Sequence, residues 1–171
     1  MRDTPALTFL LGGARSGKSA HAEALVAAFP APWTYLATAQ AFDDEMVERI
    51  AQHRQRRAGG WETLDAPLGL VAALEGLPDG RPVLVDCLTL WLTNHLLGGS
   101  DIAAECDRLV ETLGNPRGPW FVVSNEVGLG IVPDNALSRS FRDAAGRLHQ
   151  QVAARAARVV SMVAGLALEV K

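Results

Sequence analysis

Cysteine is scarce in this 171-residue sequence: Cys87 and Cys106 stand far apart and form no C-x-x-C. Two such residues build neither a disulfide framework nor a zinc site, so both are read as buried apolar positions in a reducing compartment. An excess of one charge is also missing. With 16 basic and 19 acidic residues the net charge is −3, and no overall positive field recruits nucleic acid or an anionic membrane. Long apolar runs are absent. Ala6–Leu11 is too short to span a membrane and turns directly into a glycine-rich loop, so it is not read as a signal peptide. Val159–Leu168 is broken by Ser161 and Gly165 and is too short as well. A cytoplasmic protein without stable membrane insertion is expected. There is no internal repeat, low-complexity tract or linker, so residues 1–171 are expected to form a single nucleotide-binding/transferase domain. Hydrophobic residues at 49% and charged ones at 20% suit a soluble globular chain.

The strongest positive signal lies near the start. Leu7–Leu11 is a strand-like apolar run, and Gly12-Gly13-Ala14-Arg15-Ser16-Gly17-Lys18-Ser19 matches G-x-x-x-x-G-K-[ST]. Glycines let the backbone fold closely around phosphates, successive N–H groups form an anion nest, and the helix that follows adds its positive end. Lys18 is expected to reach the outer phosphates and Ser19 to ligate Mg²⁺.

Beyond the loop, a helix to about Phe29 stops at Pro30 and Pro32, and Trp33–Ala37 reads as a short buried strand ending at Thr38-Ala39. A second helix from about Asp43 places Met46, Ile50 and His53 on one stripe and ends at Gly59-Gly60. Trp61–Leu64 reads as a brief extended segment and Pro67–Leu77 as a short helix. Pro82–Asp86 is a buried strand with an acid at its carboxyl end. Leu88, Trp91, Leu92, His95 and Leu96 follow at helical spacing. A helix over Asp101–Leu113 precedes the apolar strand Trp120–Val123, which runs into Ser124-Asn125-Glu126. The longest helix, about Asn135–Ala157, is expected to bury Leu137, Phe141, Ala144, Ala145, Leu148, Val152 and Ala156. Arg158–Ala164 and Leu166–Val170 close the chain as a strand pair. The pattern predicts a three-layer α/β fold of the P-loop NTPase (RecA-like) class. Its sheet is mainly parallel, with helices on both faces and a C-terminal antiparallel strand pair. Gly12, Thr38, Asp86 and Asn125 then share the carboxyl edge of the sheet, where such folds bind ligands.

Asp86 is the natural second partner for Mg²⁺, although it could instead cap the helix at Leu88. No glycine follows it closely and N-K-x-D occurs nowhere, which excludes a regulatory GTPase switch. Charge balance and size argue against a DNA motor. His53 has two readings. It is either a core residue on an apolar stripe or, with Arg49, Arg54, Arg56 and Arg57 crowded around it, a nucleophile toward phosphorus. Neutral imidazole attacks near its own pKa of about 6.5, and the arginines would neutralise triphosphate and hold leaving pyrophosphate. The residues alone leave both open.

At this point the sequence resembles the bifunctional adenosylcobinamide kinase/adenosylcobinamide-phosphate guanylyltransferase family of cobalamin assembly. The likeness spans almost the whole chain, through Gly12–Ser19 with His21-Ala22-Glu23, Tyr35–Ala39, Asp43–Met46 with Arg49-Ile50 and His53, and Trp61. It continues through Asp86–Asn94, Ser124–Pro133, Arg139, Phe141–Asp143, Ala145–Arg147 and Gln150. The resemblance implies two reactions at one nucleotide region: phosphorylation of adenosylcobinamide by ATP or GTP, then transfer of GMP from GTP to adenosylcobinamide phosphate through a GMP–histidine intermediate. It makes His53 the nucleophile. It also sets Ala37-Thr38-Ala39, Arg54-Gln55-Arg56-Arg57, Asp65 and Asp86-Cys87 around the guanine nucleotide, with Glu62 a nearby alternative to Asp65. It suggests a homotrimer and an open cleft for the bulky corrinoid. Departures are His149, where relatives commonly carry Asn, His95 in place of an apolar residue, and a short connection at Gly98-Gly99-Ser100; these bear on substrate contact or packing. Asn125 or Glu126, at a strand end, is expected to orient a substrate or the γ-phosphate. The rival readings are a monofunctional small-molecule P-loop kinase and a GTP-binding regulatory module without transferase activity.

Overall fold

A computed structural model describes residues 6–40 and 59–171. The helix expected from Asp43, with His53, Arg54, Gln55, Arg56 and Arg57, lies outside the described residues. Seven strands form one sheet in the order β3-β2-β4-β5-β1-β6-β7. They are β1 (Ala6–Gly12), β2 (Trp33–Ala37), β3 (Trp61–Asp65), β4 (Val83–Asp86), β5 (Pro119–Asn125), β6 (Arg158–Val163) and β7 (Leu166–Glu169). All neighbours pair parallel except β6 and β7, which are antiparallel. The helices are α1 (Lys18–Val26), α2 (Leu70–Glu75), α3 (Leu88–Leu97), α4 (Ile102–Leu113) and α5 (Ala136–Arg155).

The central strands read as continuous apolar runs because each is buried on both faces. Leu7, Phe9, Leu36, Val83, Val85, Trp120 and Val122 point to one side, into a core shared with α2, α3, α4 and α5. Leu10, Tyr35, Leu84, Phe121, Val123 and Val160 point to the other, where α1 contributes Ala22 and Val26. Among the described residues the layers are therefore unequal, one helix against four.

Local signals set the helix ends. Asp101 Oδ1 accepts from the Ala104 N–H at 3.1 Å, and Asn135 Oδ1 from the Ser138 N–H at 2.8 Å; both are side-chain N-caps. α4 buries Cys106, Leu109, Val110 and Leu113, one stripe of a 3.6-residue period. Lys171 Nζ donates to the carbonyls of Ala153, Ala154 and Ala156, closing the C-terminus of α5.

Three sequence expectations change. α2 covers only Leu70–Glu75 rather than Pro67–Leu77, because the Pro67 and Leu68 carbonyls accept from side chains of α3. α1 ends at Val26, and the Phe29 carbonyl accepts from Trp33 Nε1 at 2.8 Å. Leu137 is exposed and Phe141 only half-buried, since the first turns of α5 extend past the core. Among the described residues no helix is long and apolar enough to cross a membrane.

Candidate nucleotide site

The strand register builds the site. Asp65, Ala37 and Asp86 lie on one row across β3, β2 and β4. Gly12 sits opposite Asn125 on β5 and Met162 on β6. Parallel strands end together, so these residues line one edge of the sheet.

The loop from Gly12 to Ser19 departs from the centre of that edge. A Cβ on Gly12 would sit 2.4 Å from Ser16 Oγ and 2.8 Å from the Met162 carbonyl oxygen, so glycine alone lets the loop close here. Gly17, at φ +90°, precedes the first residue of α1, a left-handed conformation that favours glycine. The loop leans on the turn between β6 and β7: the Gly165 N–H donates to the Ser16 carbonyl at 3.0 Å, and a Cβ on Gly17 would lie 3.3 Å from Gly165 Cα. Lys18 is buried and its Nζ donates to the Gly13 carbonyl at 2.8 Å. The ammonium thus folds back over the loop.

These features fit a polyphosphate. The first N–H groups of α1 have no acceptor within the helix, and the helix end carries partial positive charge. Ser16 Oγ is buried with no hydrogen-bond partner among the described residues. Gly13, Ala14 and Arg15 face solvent, leaving the loop open to an incoming ligand.

Asp86 is half-buried, and its Oδ2 accepts from the Tyr35 hydroxyl at 3.1 Å. It does not cap α3: the N-cap is Cys87, without a side-chain cap bond. Of the two readings for this carboxylate, the capping one falls away. Cys87 is buried, and burial next to Asp86 pushes its thiol up to about 11; the Lys18 ammonium is near enough to pull in the opposite direction. Its Sγ lies 3.1 Å from Thr89 Oγ1.

Thr38 is fully buried. Its Oγ1 donates to the Cys87 carbonyl and accepts from the Cys87 N–H, both at 2.7 Å, which ties the end of β2 to the end of β4. Asp65 is exposed at the site edge, whereas Glu62 stands opposite Thr34, three residues back, and pairs with Arg81 at 2.7 Å. Three strand residues are about 10 Å, so Glu62 lies away from the row that holds Asp65, Ala37 and Asp86. Asn125 Nδ2 donates to Thr89 Oγ1 at 2.9 Å. The Glu126 carboxylate accepts from the Gly128 N–H, and its own N–H donates to the Gly12 carbonyl at 3.0 Å.

The two histidine departures are packing residues. His149 is buried, bonded to Ser124 Oγ at 2.7 Å and tilted against Phe9. His95 bridges Ser100 Oγ and the Leu68 carbonyl. Tyr35, Thr89 and Asn94 were not marked by sequence as site residues. The available signal was polar residues on an otherwise apolar helix, at Thr89 and Asn94.

The sequence pattern of the CobU family, described as cobinamide kinase / cobinamide phosphate guanyltransferase, matches residues 8–170. A bifunctional adenosylcobalamin biosynthesis protein, CobP, from Pseudomonas aeruginosa is 52% identical, with 95% of each chain covered. One named CobU from Salmonella typhimurium is 39% identical, covering 96% of this chain and 99% of its own. Among solved structures, the flagellar accessory protein FlaH from Methanocaldococcus jannaschii superposes at a TM-score of 0.55 with 13% identity, over 98% of this chain and 79% of that one. An ATPase from the type III secretion system of pathogenic bacteria superposes at 0.54 with 14% identity, over 96% and 56%. At such identities these structures speak for the fold alone.

Proposed function

The chain belongs to the cobinamide kinase / cobinamide phosphate guanyltransferase family, and from that premise we propose that it runs both reactions at the edge of the sheet just described. It phosphorylates adenosylcobinamide with ATP or GTP and then transfers GMP from GTP to adenosylcobinamide phosphate, giving adenosylcobinamide-GDP and pyrophosphate. The observation that carries this reading is the loop: a glycine that admits no Cβ, an orphaned buried hydroxyl, and a lysine folded back over the loop to the Gly13 carbonyl.

In the kinase step the substrate hydroxyl oxygen attacks the γ-phosphorus and the nucleoside diphosphate leaves. Lys18 and the loop N–H groups neutralise charge that builds on the transferring phosphoryl oxygens. Ser19 and Asp86 would hold Mg²⁺, which supplies charge neutralisation across the phosphates. Tyr35 orients the Asp86 carboxylate by its 3.1 Å hydrogen bond.

In the transferase step a neutral His53 nitrogen attacks the α-phosphorus of GTP, the bond to the bridging oxygen breaks, and pyrophosphate departs. A phosphate oxygen of the corrinoid then displaces the histidine and takes the GMP. Arg54, Arg56 and Arg57 hold the leaving group, and Ala37–Ala39, Gln55, Asp65 and the Asp86-Cys87 corner surround the guanine nucleotide. The His53 role and the guanine-nucleotide contacts rest on the resemblance, as does a trimer; a cytoplasmic location rests on the short apolar runs and the cysteine usage of the sequence.

The test uses the whole chain with Mg²⁺ and GTP labelled at the α- or the γ-phosphate, followed by denaturation. Acid-labile, base-stable label from the α-position, absent in His53→Ala, is expected. A protein that carries no α-label yet phosphorylates the corrinoid is a kinase only.

A further inference from the structure

α3 carries a polar residue where its packing calls for an apolar one. Asn94 is 6% exposed on a helix that also buries Leu88, Trp91 and Leu92. A buried amide costs stability unless its hydrogen bonds are made. Here they are made in a particular direction: Nδ2 donates to the Thr38 carbonyl at 2.8 Å and to the Pro67 carbonyl at 2.9 Å. Both partners can only accept, so the group between them must be the NH₂ end of the amide.

The two carbonyls belong to different segments. Thr38 follows β2 and, through its hydroxyl, holds the Cys87 main chain. Pro67 follows β3, two residues after Asp65, and the Ala66 N–H donates to the Ala37 carbonyl at 2.7 Å. Beyond that last backbone bond between the two strands, one side chain therefore ties Thr38 to Pro67. Trp91 Nε1 and His95 Nε2, on the same helix, both reach the Leu68 carbonyl, at 3.3 and 3.2 Å, just past Pro67.

We propose that Asn94 is a positioning residue for the guanine nucleotide, clamping the Thr38 and Pro67 carbonyls so that the two segments flanking the nucleotide keep their spacing. Its Nδ2 is engaged by the two carbonyls, so it acts through them. The inference rests on the proposed function, in which Ala37–Ala39 and Asp65 surround the guanine nucleotide. Without the two donors the carbonyls must find other partners, and Thr38 and Pro67, which lie past the last backbone bond between β2 and β3, lose the tie between them.

The experiment is titration of the full chain with a fluorescent GTP analogue, well below the lowest unfolding midpoint of the set, in parallel with GTP and corrinoid KM values. Asn94→Ala is expected to weaken GTP binding about tenfold, the lower end of the range known for outer-shell hydrogen-bond partners of metal ligands. The KM for GTP should rise and the KM for the corrinoid stay unchanged. Asn94→Ser, which can donate to one carbonyl, should fall between, and it decides the matter by the same criterion if the alanine variant does not fold. Leu92→Ala, buried on the same helix, should lower the unfolding midpoint without changing GTP affinity. An unchanged affinity in the folded Asn94 variants, or equal weakening in Leu92→Ala, overturns the proposal. Wild-type protein that binds GTP without taking up α-label defeats the transferase reading and leaves this comparison decisive; wild type that binds no GTP defeats both.

Discussion

At the scale of single residues, burial decides which groups can react. Burial pushes both thiols up to about 11, with neighbouring carboxylates adding to it, so each stays protonated near neutrality. Neither Cys87 nor Cys106 should be modified by a thiol reagent in the native protein at mildly alkaline pH, and both should react after unfolding; mass spectrometry of the labelled chain distinguishes the two states. His149 supplies a pH signature. Burial holds its imidazole below the ordinary 6.5, partly offset by Glu126. As pH falls through 6.5 the unfolded chain takes a proton that the folded chain refuses, so stability declines until the lower folded pKa is reached. The unfolding midpoint should drop across this window, and His149→Asn should flatten that part of the decline in a series of thermal melts. Sequence marked His149 as a departure, but only its contact with Ser124 on β5 identifies it as packing rather than substrate contact.

At the scale of elements, the loop and its helix were legible because local steric rules write them. The glycines at 12 and 17, the lysine and the preceding apolar run each follow from what a tight phosphate-binding turn requires. The support beneath the loop was not legible. Met162 and Gly165 come from the far end of the chain and are brought there by the pairing of β6 with β1. Gly12→Ala should therefore damage function, since its Cβ would meet the Met162 carbonyl at 2.8 Å and force the loop to move. A displacement of this kind should cost about a hundredfold in kcat/KM for the kinase step, measured by phosphorylation of the corrinoid. The cap of α4 makes a plainer case. Asp101→Ala removes the acceptor for the Ala104 N–H and should cost about 1 kcal/mol, read by denaturant melts, with no effect on activity.

At the scale of the whole molecule, the sheet separates stability from chemistry by its two edges. Gly118 stands at the start of β5, opposite the nucleotide edge, where a Cβ would lie 2.5 Å from the Arg81 carbonyl oxygen. Gly118→Ala should cost about 1–3 kcal/mol by overpacking and lower the unfolding midpoint by about 2–4 °C for each kcal/mol, with GTP affinity unchanged by titration. By itself the sequence determined the fold class, the phosphate loop and the common strand edge. Apolar runs, helical periods and turn residues act over a few positions and can be read there. The tertiary structure alone decided the strand order, which puts β5 between the loop strand and the Asp86 strand. It also decided the place of Glu62, three residues of register from Asp65, and the partners of Asn94, two carbonyls 56 and 27 residues away along the chain. The physical reason is that a buried polar group takes its role from whatever the fold sets against it, and that partner is not written in its neighbours.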